Sequence, residues 1–574
     1  MLLSLGLQSL IFPPLPTWPL AFVCLAPWLL IVAGSPRPRR VYVLSYLLGF
    51  GFYLINMYWM YYPTGAGYVA ASAYLASYLP LVAIPVRHAA RRRRIPLTFV
   101  LPFVWVGAEW LRSLLLSGFP WFFLGHAAYR WLSLIQISDV AGAYGVSFII
   151  ATVNGALADA LMRWRTRPTG ARMPAATIRW SQRLRRPTVA WPLGLLLAAL
   201  IYGQVQLHRS TTAAGPKIAV LQGNFLSAVE GEREDPHTRF EFYATLLMRA
   251  RTTNADLYAL PETPLHMTLN REFLELDTTR PENWGWGGEQ AVCRRWAEAF
   301  MAYSQANGAY LVTGGFSRTY NAYDLLCAER QYNSAFVFGP DGELPQRYDK
   351  VHLVLFGEAV PLRFGRLRFL YLWLNRMTPW GGPFDDYSLF AGDTFRTFAM
   401  TTGDGRTFRF GIPICYEDVM PYITRRFVTG RGKGAAERTR EGKQIDFILN
   451  ISNDGWFAHS TELPQHLAIS AFRAVENRIG VARAVNTGIS AFIDSDGRIH
   501  HVVEVDGRRR GPRVDGYQVA NVCVDSRFSL YSRWGDVFAW LCAAIWALLG
   551  ADYIVARIRG YPAAPATALE LKRT

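Results

Sequence analysis

Long apolar runs dominate the first third of the chain and return once near its end. They occupy residues 18–34, 41–62, 68–86, 97–117, 141–162, 190–207 and 536–556. Runs of about 17–25 apolar residues are long enough to cross a bilayer as helices. A shorter run, residues 1–11, ends at Phe12-Pro13-Pro14 and has neither a basic start nor a small-residue cleavage pattern. The pattern therefore predicts eight transmembrane helices, of which the short run is the first.

The stretch between the last two runs has a different pattern, because short β-rich runs alternate there with helical segments. Such alternation is typical of a layered α/β fold. The predicted strands are Lys217–Gln222, Asp256–Leu260, Ala309–Gly315, Ser334–Phe338, Phe408–Ile414, Phe447–Ile451, Val481–Val485 and Ser490–Ile493, and the predicted helices are Arg239–Ala250, Gln290–Asn307 and Leu463–Ile479.

These patterns predict three parts of the chain. Residues 1–207 hold helices one to seven, residues 208–534 form an extramembrane domain, and residues 535–574 hold helix eight and a tail. Segments near 267–287, 320–331 and 429–444 interrupt the α/β pattern and are interpreted as insertions in that domain.

Composition excludes several classes of protein. The 574 residues are 51% hydrophobic, which argues against a disordered or fibrous chain, and six cysteines are too few for a disulfide-dense secreted scaffold. The net charge of +17 is unevenly distributed. Residues 208–534 carry 38 Lys and Arg against 37 Asp and Glu, whereas the remainder carries 22 against 6. Because the excess lies among the apolar runs, it indicates membrane topology rather than a nucleic-acid partner.

The basic residues also predict orientation. Residues 35–40 carry three Arg, 87–94 five, 163–186 eight, and the tail after 556 four Lys or Arg. If eight helices alternate, all of these lie on one side, and the opposite short connections carry only Arg130. The positive-inside rule then places both termini in the cytoplasm and residues 208–534 outside. The alternative, buried helices of a large soluble protein, does not explain this sorting.

Familiar catalytic motifs are absent from the sequence. There is no GxSxG, HExxH, GxxxxGK[ST] or CxxC, and the ten histidines form no ligand-spaced cluster. Three other segments instead carry a polar reactive group at the end of an apolar run. They are Tyr258–Glu262, Tyr348–His352 followed by Glu358, and Gly411–Glu417 with Cys415.

A Glu, Lys and Cys set is chemically coherent. A free thiol is mostly protonated at neutral pH, and a nearby cation or a helix N-terminus lowers its pKa. A carboxylate can take the thiol proton, while an ammonium and the amide after the cysteine hold an oxyanion. The set predicts acyl transfer through a thioester. Each residue alone is more often a packing residue or a surface charge, so the case depends on the surrounding motifs.

Those motifs resemble the nitrilase, or carbon–nitrogen hydrolase, superfamily, and the whole chain resembles its membrane-bound branch, the apolipoprotein N-acyltransferases. The matching segments are Phe12-Pro13-Pro14, Ser117–Trp121, Tyr144–Ser147, Leu221–Asn224, Leu260–Thr263, Tyr348–Leu353, Phe356–Glu358, Ile414–Glu417, Ile451–Phe457, Asn486–Gly488 and Gly535-Asp536. A tryptophan that the family often has shortly after Gln222-Gly223-Asn224 is missing between Phe225 and Asp235.

The resemblance implies a nitrilase-like αββα sandwich domain inserted before the last span of an eight-helix transmembrane bundle. It implies Glu262 as general base, Lys350 as the partner of the oxyanion and thiolate, and Cys415 as nucleophile. Further matched positions, interpreted as substrate-binding or supporting, are Glu358, Tyr416, Glu417 and Asn453. No metal and no diffusible cofactor is implied.

The resemblance also implies a reaction and a location. The donor is a phospholipid, expected to be phosphatidylethanolamine, and the acceptor is the N-terminal amine of a diacylglyceryl-cysteine on an apolipoprotein. The location is the bacterial inner membrane with the catalytic domain in the periplasm.

Two alternative functions remain. One is a membrane-tethered amidase or nitrilase that uses water as acceptor, and the other is a non-enzymatic scaffold, whose sign would be a missing member of the triad. We also predict that the apolar segment Phe369–Trp380 is an arm that dips into the outer leaflet; the alternative is a packed surface helix or a wall of the domain core.

Overall fold

A computed structural model describes residues 1–165, 186–209, 211–227, 235–320, 329–378, 386–432, 434, 441–503 and 515–559. The chain divides into two compact units. One comprises Met1–Tyr61, Gly65–Ser210 and Ser529–Thr574, and the other comprises Tyr62–Thr64 and Thr211–Phe528.

The first unit is helical. Its helices are α1 (Leu2–Leu10), α2 (Ala26–Gly34), α3 (Pro38–Asn56), α4 (Gly65–Ala76), α5 (Tyr78–Arg91), α6 (Leu97–Arg112), α7 (Leu132–Ile135), α8 (Ser138–Ala141), α9 (Ala143–Arg165) and α10 (Pro187–Leu207), followed near the C-terminus by Leu530–Trp534 and Val537–Ile558. A helix therefore lies in each of the eight predicted runs.

Four helical segments among the described residues are long and apolar enough to cross a membrane. They are Gly65–Arg91, Ala143–Arg165, Pro187–Leu207 and Val537–Ile558. The others are shorter or carry charge, such as the nine-residue α1. The crossing of all eight thus stays a prediction, and most of the basic segment 163–186 that supports it lies outside the described residues.

Close packing in this unit depends on small and capping residues. A Cβ at Gly155 of α9 would lie 2.6 Å from the carbonyl oxygen of Leu97. One turn further along α9, the Asp159 carboxylate accepts the backbone N–H groups of Leu97 and Thr98 at 3.1 and 3.0 Å. These are the first amides of α6, which have no partner within their own helix. A glycine and an aspartate one turn apart therefore hold α9 against the start of α6.

The second unit contains two six-stranded sheets. The first has the order β12–β1–β2–β3–β4–β5 and the second β11–β10–β9–β8–β7–β6. The strands are β1 (Thr212–Gln222), β2 (Leu257–Ala259), β3 (Tyr310–Tyr320), β4 (Glu329–Phe338), β5 (Gln346–Asp349), β6 (Thr397–Thr401), β7 (Thr407–Gly411), β8 (Phe447–Ser452), β9 (Gly480–Val485), β10 (Ala491–Ile493), β11 (Ile499–His500) and β12 (Gly516–Asp525). The helices are α11 (Pro236–Arg251), α12 (Arg271–Leu274), α13 (Gly287–Asn307), α14 (Arg368–Arg376), α15 (Pro421–Thr429) and α16 (Glu462–Asn477).

The layers follow from alternating side chains on the strands. Ile218 and Val220 of β1 enter a core shared with the second sheet, whereas Ala219 and Leu221 enter a separate core with α11 and α13. Successive residues of a strand point to opposite faces, so β1 serves both cores. Residues of α15 and α16 pack into the core of the second sheet. The unit is therefore an α–β–β–α sandwich.

The predicted elements differ from the structure mainly at the sheet edges. The short strands β5, β6 and β11, and the longer β12, carry no clear periodic signal and were not predicted. The predicted strand Phe408–Ile414 ends at Gly411, because Pro413 lacks the N–H that a central strand requires. After this strand a single 3₁₀ turn, Cys415–Asp418, precedes α15, which begins at Pro421.

Candidate active site

Cys415 lies at a sharp turn beyond β7. Ile414 still pairs with Ile451 of β8 in an isolated bridge, and Cys415 then adopts φ +52°. Left-handed backbone is uncommon for a residue with a Cβ and is held in place by its surroundings. The Cys415 side chain is half-buried. The turn thus presents a thiol at the end of the second sheet without burying it completely.

Glu262 follows β2 in the other sheet and is buried. Gly314 of β3 allows this approach, since a Cβ there would lie 2.7 Å from the Cα atom of Glu262. One carboxylate oxygen accepts the Asn333 amide at 2.7 Å, and the other accepts the backbone N–H of Asn453 at 2.9 Å. The carboxylate is therefore fixed by residues from both sheets.

Lys350 comes directly after β5, and its ammonium is buried. The Lys350 Nζ atom lies 2.9 Å from Glu358 Oε1 and 3.5 Å from Glu262 Oε1. Burial by itself lowers the pKa of Lys350, but attraction to Glu358, Glu262 and Cys415 outweighs it and the pKa is raised. The two neighbouring carboxylates therefore favour the charged form of Lys350 in spite of its burial.

The Cys415 thiol lies within hydrogen-bonding reach of the Glu262 carboxylate. Burial and the negative charge of Glu262 raise the pKa of the thiol well above its usual value, although Lys350 opposes this. Lys350 thus lowers the pKa of the thiol as the sequence predicts, but burial and the neighbouring carboxylate outweigh it and the net shift is upward. A thiol with such a raised pKa is protonated at neutral pH, so a base would be required for it to act as a nucleophile.

The Glu262 carboxylate suits that requirement. Burial raises the pKa of Glu262, repulsion from Glu358 adds to this, and Lys350 opposes it. Two carboxylates share one ammonium, so the cluster holds one negative charge that a proton can neutralise. A carboxylate with a raised pKa is a stronger base than one in water and better matched to a thiol.

Asn333 is a site residue that sequence analysis missed. Its amide nitrogen donates both to Glu262, at 2.7 Å, and to Glu358, at 2.8 Å. It lies in β4, one position before the predicted strand Ser334–Phe338. In the sequence Asn333 is only a polar residue next to a predicted strand, and that position does not indicate what its side chain contacts.

We expect Asn333→Ala to slow acylation of Cys415 by about 10- to 100-fold, because a buried hydrogen bond to a charged group contributes about 1.5–3 kcal/mol. The loss leaves Glu262 and Glu358 repelling each other with less compensation. Rates of acyl-enzyme formation measured by intact mass would test this. Asn521→Ala, in β12, is the matched control, and equal rates in the two variants would contradict the expectation.

Glu417 joins two of the predicted segments. Its carboxylate accepts the backbone N–H groups of Val351, His352 and Ile414 at 2.8–2.9 Å. It also accepts the hydroxyl of Tyr348. Burial raises the pKa of Glu417 to about 7 in spite of these donors. Glu417 thus holds the Lys350 segment against the Cys415 turn.

The remaining predicted residues lie around this centre. Glu358 contacts Lys350, and its second oxygen accepts the backbone N–H of Val354 at 2.9 Å. Asn453 contributes its backbone N–H to Glu262, while its side chain donates to Ser227 Oγ. Tyr416 is half-buried, with its ring stacked near His352 at a centroid distance of 6.0 Å. The structure therefore brings Glu262, Lys350, Cys415 and Glu358 together, and it places Tyr416 and Glu417 at their border.

Comparison with known proteins identifies the family. A model of the apolipoprotein N-acyltransferase N-terminal domain matches residues 5–156, and a carbon-nitrogen hydrolase model matches residues 217–506, half of the chain. An apolipoprotein N-acyltransferase from Geobacter metallireducens is 32% identical over 96% of this chain and 94% of its own length. One from Rhodopirellula baltica is 28% identical over 93% of this chain and 92% of its own.

The matches confirm the predicted nitrilase-like α/β fold, and the apolar helices of the first unit fit a membrane protein. They cover both units of the chain, and the identity to the Geobacter relative extends over nearly the whole of both proteins. This chain therefore belongs to the apolipoprotein N-acyltransferase family.

Proposed function

We propose that the chain transfers an acyl group from a phospholipid to the amine of a lipoprotein in two steps, through a thioester on Cys415. The observation that carries the proposal is the convergence of the Cys415 thiol, the Glu262 carboxylate and the Lys350 ammonium in the unit that matches carbon–nitrogen hydrolases. Membership of the family supports lipoprotein and phospholipid as the classes of substrate.

In the first step Cys415 attacks an ester carbonyl of the donor, which we propose to be phosphatidylethanolamine. Glu262 takes the thiol proton as the sulfur–carbon bond forms, and the Lys350 ammonium stabilises the negative charge on the carbonyl oxygen. When the tetrahedral intermediate collapses, the ester carbon–oxygen bond breaks and the proton on Glu262 passes to the leaving oxygen. The products are a lysophospholipid and an acyl-thioester on Cys415.

In the second step the N-terminal amine of a diacylglyceryl-cysteine attacks the thioester. Glu262 removes a proton from the amine as the carbon–nitrogen bond forms, and Lys350 again stabilises the oxyanion. The carbon–sulfur bond then breaks, and the proton on Glu262 returns to the Cys415 sulfur. The enzyme regains its starting state, so the two substrates use one site in turn.

We further propose that both termini lie in the cytoplasm and that the catalytic unit lies in the periplasm of a bacterial inner membrane. The sorting of Arg residues by alternate connections supports this orientation. Two lipid-anchored substrates explain why a catalytic unit is joined to apolar helices on both sides of its sequence.

The test is to incubate the purified full chain with phosphatidylethanolamine vesicles and measure its intact mass. We expect an acyl adduct that maps to Cys415 and disappears when a diacylglyceryl peptide is added, with a triacylated peptide as product. Fatty acid released without triacylated peptide would instead indicate a hydrolase that uses water. No adduct with any phospholipid tested would overturn the proposal.

The predicted arm has the exposure that contact with lipid requires. Residues Phe369, Leu372 and Trp373 of α14 are exposed, as is Met377 just after it, although each is large and apolar. Arg366, Arg368 and Arg376 flank these side chains and are exposed as well. An apolar face bordered by arginines suits the boundary between acyl chains and phosphate groups. Trp380, at the end of the predicted arm, lies outside the described residues.

We expect Phe369→Ser combined with Trp373→Ser to lower activity on bilayer phospholipid by about tenfold, while activity on a short water-soluble thioester is unchanged. Phe369 and Trp373 are 65% and 58% exposed, whereas Leu374 is half-buried and is a poorer choice for the test. Loss of these two exposed aromatic side chains removes about 3 kcal/mol of favourable apolar burial in lipid. We expect part of this free energy to appear as a lower rate on bilayer phospholipid. Equal losses on both substrates would indicate misfolding instead of lost lipid contact.

A further inference from the structure

A buried cluster of charges includes Asp418, the last residue of the turn that begins at Cys415. Its centre is His466 of α16, whose Nε2 atom lies 2.6 Å from Asp418 Oδ1 and whose Nδ1 atom lies 3.1 Å from Asp454 Oδ1. Arg483 of β9 donates to both carboxylates, at 2.7 and 3.1 Å. All four side chains are at most 4% exposed. Nothing in the proposed reaction uses this cluster directly.

Both carboxylates belong to segments that carry the candidate active site. Asp418 is the last residue of the turn that begins at Cys415. Asp454 follows Asn453, whose backbone N–H holds the Glu262 carboxylate. One imidazole ring therefore links the segment of the predicted nucleophile to the segment that orients the predicted base.

The geometry requires His466 to be an imidazolium. Both ring nitrogens face carboxylates, which accept but do not donate when ionised, so both must carry hydrogen. Burial and the nearby Arg483 lower the pKa of His466, but Asp418 and Asp454 outweigh them and raise it well above its usual value. On its own helix His466 also faces Glu462, 3.4 Å from Nδ1, whose pKa burial raises to about 7.

The cluster is coupled to the thiol. The Ser452 hydroxyl donates to Asp454 Oδ1 at 2.6 Å, so Asp454 is held at the end of β8, the strand that pairs with Ile414 next to Cys415. The negative charge of Asp454 contributes to the raised pKa of the thiol, after burial and Glu262. Two cations, His466 and Arg483, lie against Asp418 and Asp454 and offset that negative charge. If the His466 charge were lost, Arg483 alone would face two carboxylates, and the uncompensated negative charge would act on the sulfur that must become a thiolate.

A bound metal ion is a less suitable source of that positive charge. Ligand atoms of Asp454, Glu462 and His466 lie within 4.8 Å of one another. However, Asp454 already accepts from Arg483 and from Ser452, and His466 directs both of its nitrogens to aspartates. Cations of the protein itself, His466 and Arg483, therefore already supply positive charge to these carboxylates.

We propose that His466 is a positioning residue that, as an imidazolium, holds the Cys415 turn against the Asn453 segment and offsets the charge of Asp454 so that the thiolate can form. The proposal rests on the proposed role of Cys415 as nucleophile. It makes an electrostatic prediction with a sign: loss of the His466 charge raises the pH at which Cys415 reacts, and loss of the Asp454 charge lowers it.

The experiment compares His466→Gln and Asp454→Asn with the unchanged full chain in detergent. The rate at which iodoacetamide alkylates Cys415 is measured against pH by peptide mass spectrometry, which separates Cys415 from the other cysteines. We expect His466→Gln to raise the midpoint of the profile by about one pH unit and Asp454→Asn to lower it by a similar amount. His237→Gln is the control, because His237 is exposed on α11 and should leave the midpoint unchanged.

Shifts of opposite sign distinguish an electrostatic effect from structural damage. A merely structural effect would slow alkylation in both variants without moving their midpoints apart. Midpoints equal to that of the unchanged chain, or shifted in the same direction, would overturn the proposal. If His466→Gln does not fold, the shift of the midpoint in Asp454→Asn tests the proposal by itself. An unchanged or raised midpoint in that variant would then contradict the proposal. Alkylation needs no phospholipid, so failure of the unchanged chain to form an acyl-enzyme would overturn the proposed reaction and leave this measurement intact.

Discussion

Replacing Cys415 with serine is expected to lower acyl-enzyme formation by about a thousandfold or more. The serine hydroxyl is isosteric but far less acidic than a thiol, and Glu262, although its pKa is raised, is still too weak a base to deprotonate it. The site surrounds the sulfur with one base and one cation and offers no second base such as histidine in direct contact with it among the described side chains.

The measurement is the time course of the acyl adduct by intact mass, with triacylated peptide as a second readout. Cys523→Ser is the matched control, because Cys523 is also a half-buried cysteine of the same unit but lies in β12. We expect that control to keep its activity. Near-normal turnover by Cys415→Ser would remove Cys415 from the role of nucleophile.

The second large effect is expected from Glu262→Gln, which should slow thioester formation by about 10²- to 10⁴-fold. The amide has nearly the same shape as the carboxylate but cannot accept the thiol proton. Lys350 keeps its ion pair with Glu358 in this variant, so the loss is assigned to the base and not to collapse of the cluster. Binding of phospholipid to the variant should be unchanged.

Pre-steady-state measurement of labelled acyl-enzyme tests this expectation, since it isolates the first step. Glu275→Gln is the matched control, because Glu275 is an exposed glutamate in the same unit. If labelled acyl-enzyme accumulated at the usual rate in Glu262→Gln, another group would have to be the base.

Local patterns in the sequence predicted the elements with the strongest periodicity. Helices lie in all eight apolar runs, and the strands around Lys217–Gln222 and Phe447–Ile451 are present because their runs of apolar residues are buried on both faces of a sheet. The segments of Glu262 and Cys415 combine such a run with a polar residue at its end, whereas Lys350 follows the short strand β5, which carries no such signal. A pattern of this kind is visible over a few residues and does not need the fold.

The strands at the sheet edges could be identified only from the three-dimensional fold. β12 pairs with β1 although the paired residues Thr212 and Asp525 are more than 300 positions apart in the sequence, and the burial of β12 is intermediate along most of its length. No alternation of apolar and polar positions therefore marks it. The same limit applies to Asn333, whose importance depends on two glutamates that lie 71 and 25 positions away.

The sequence by itself determined the fold class, the helical segments and the residue types of the candidate site, because these depend on local periodicity and on motifs shared with a family. The tertiary structure decided the electrostatics. It brought Glu262 close enough to the Cys415 thiol to outweigh Lys350 and raise the thiol pKa, and it placed His466 between Asp418 and Asp454. Charge–charge interactions depend on distance and burial, and neither can be read from positions along the chain.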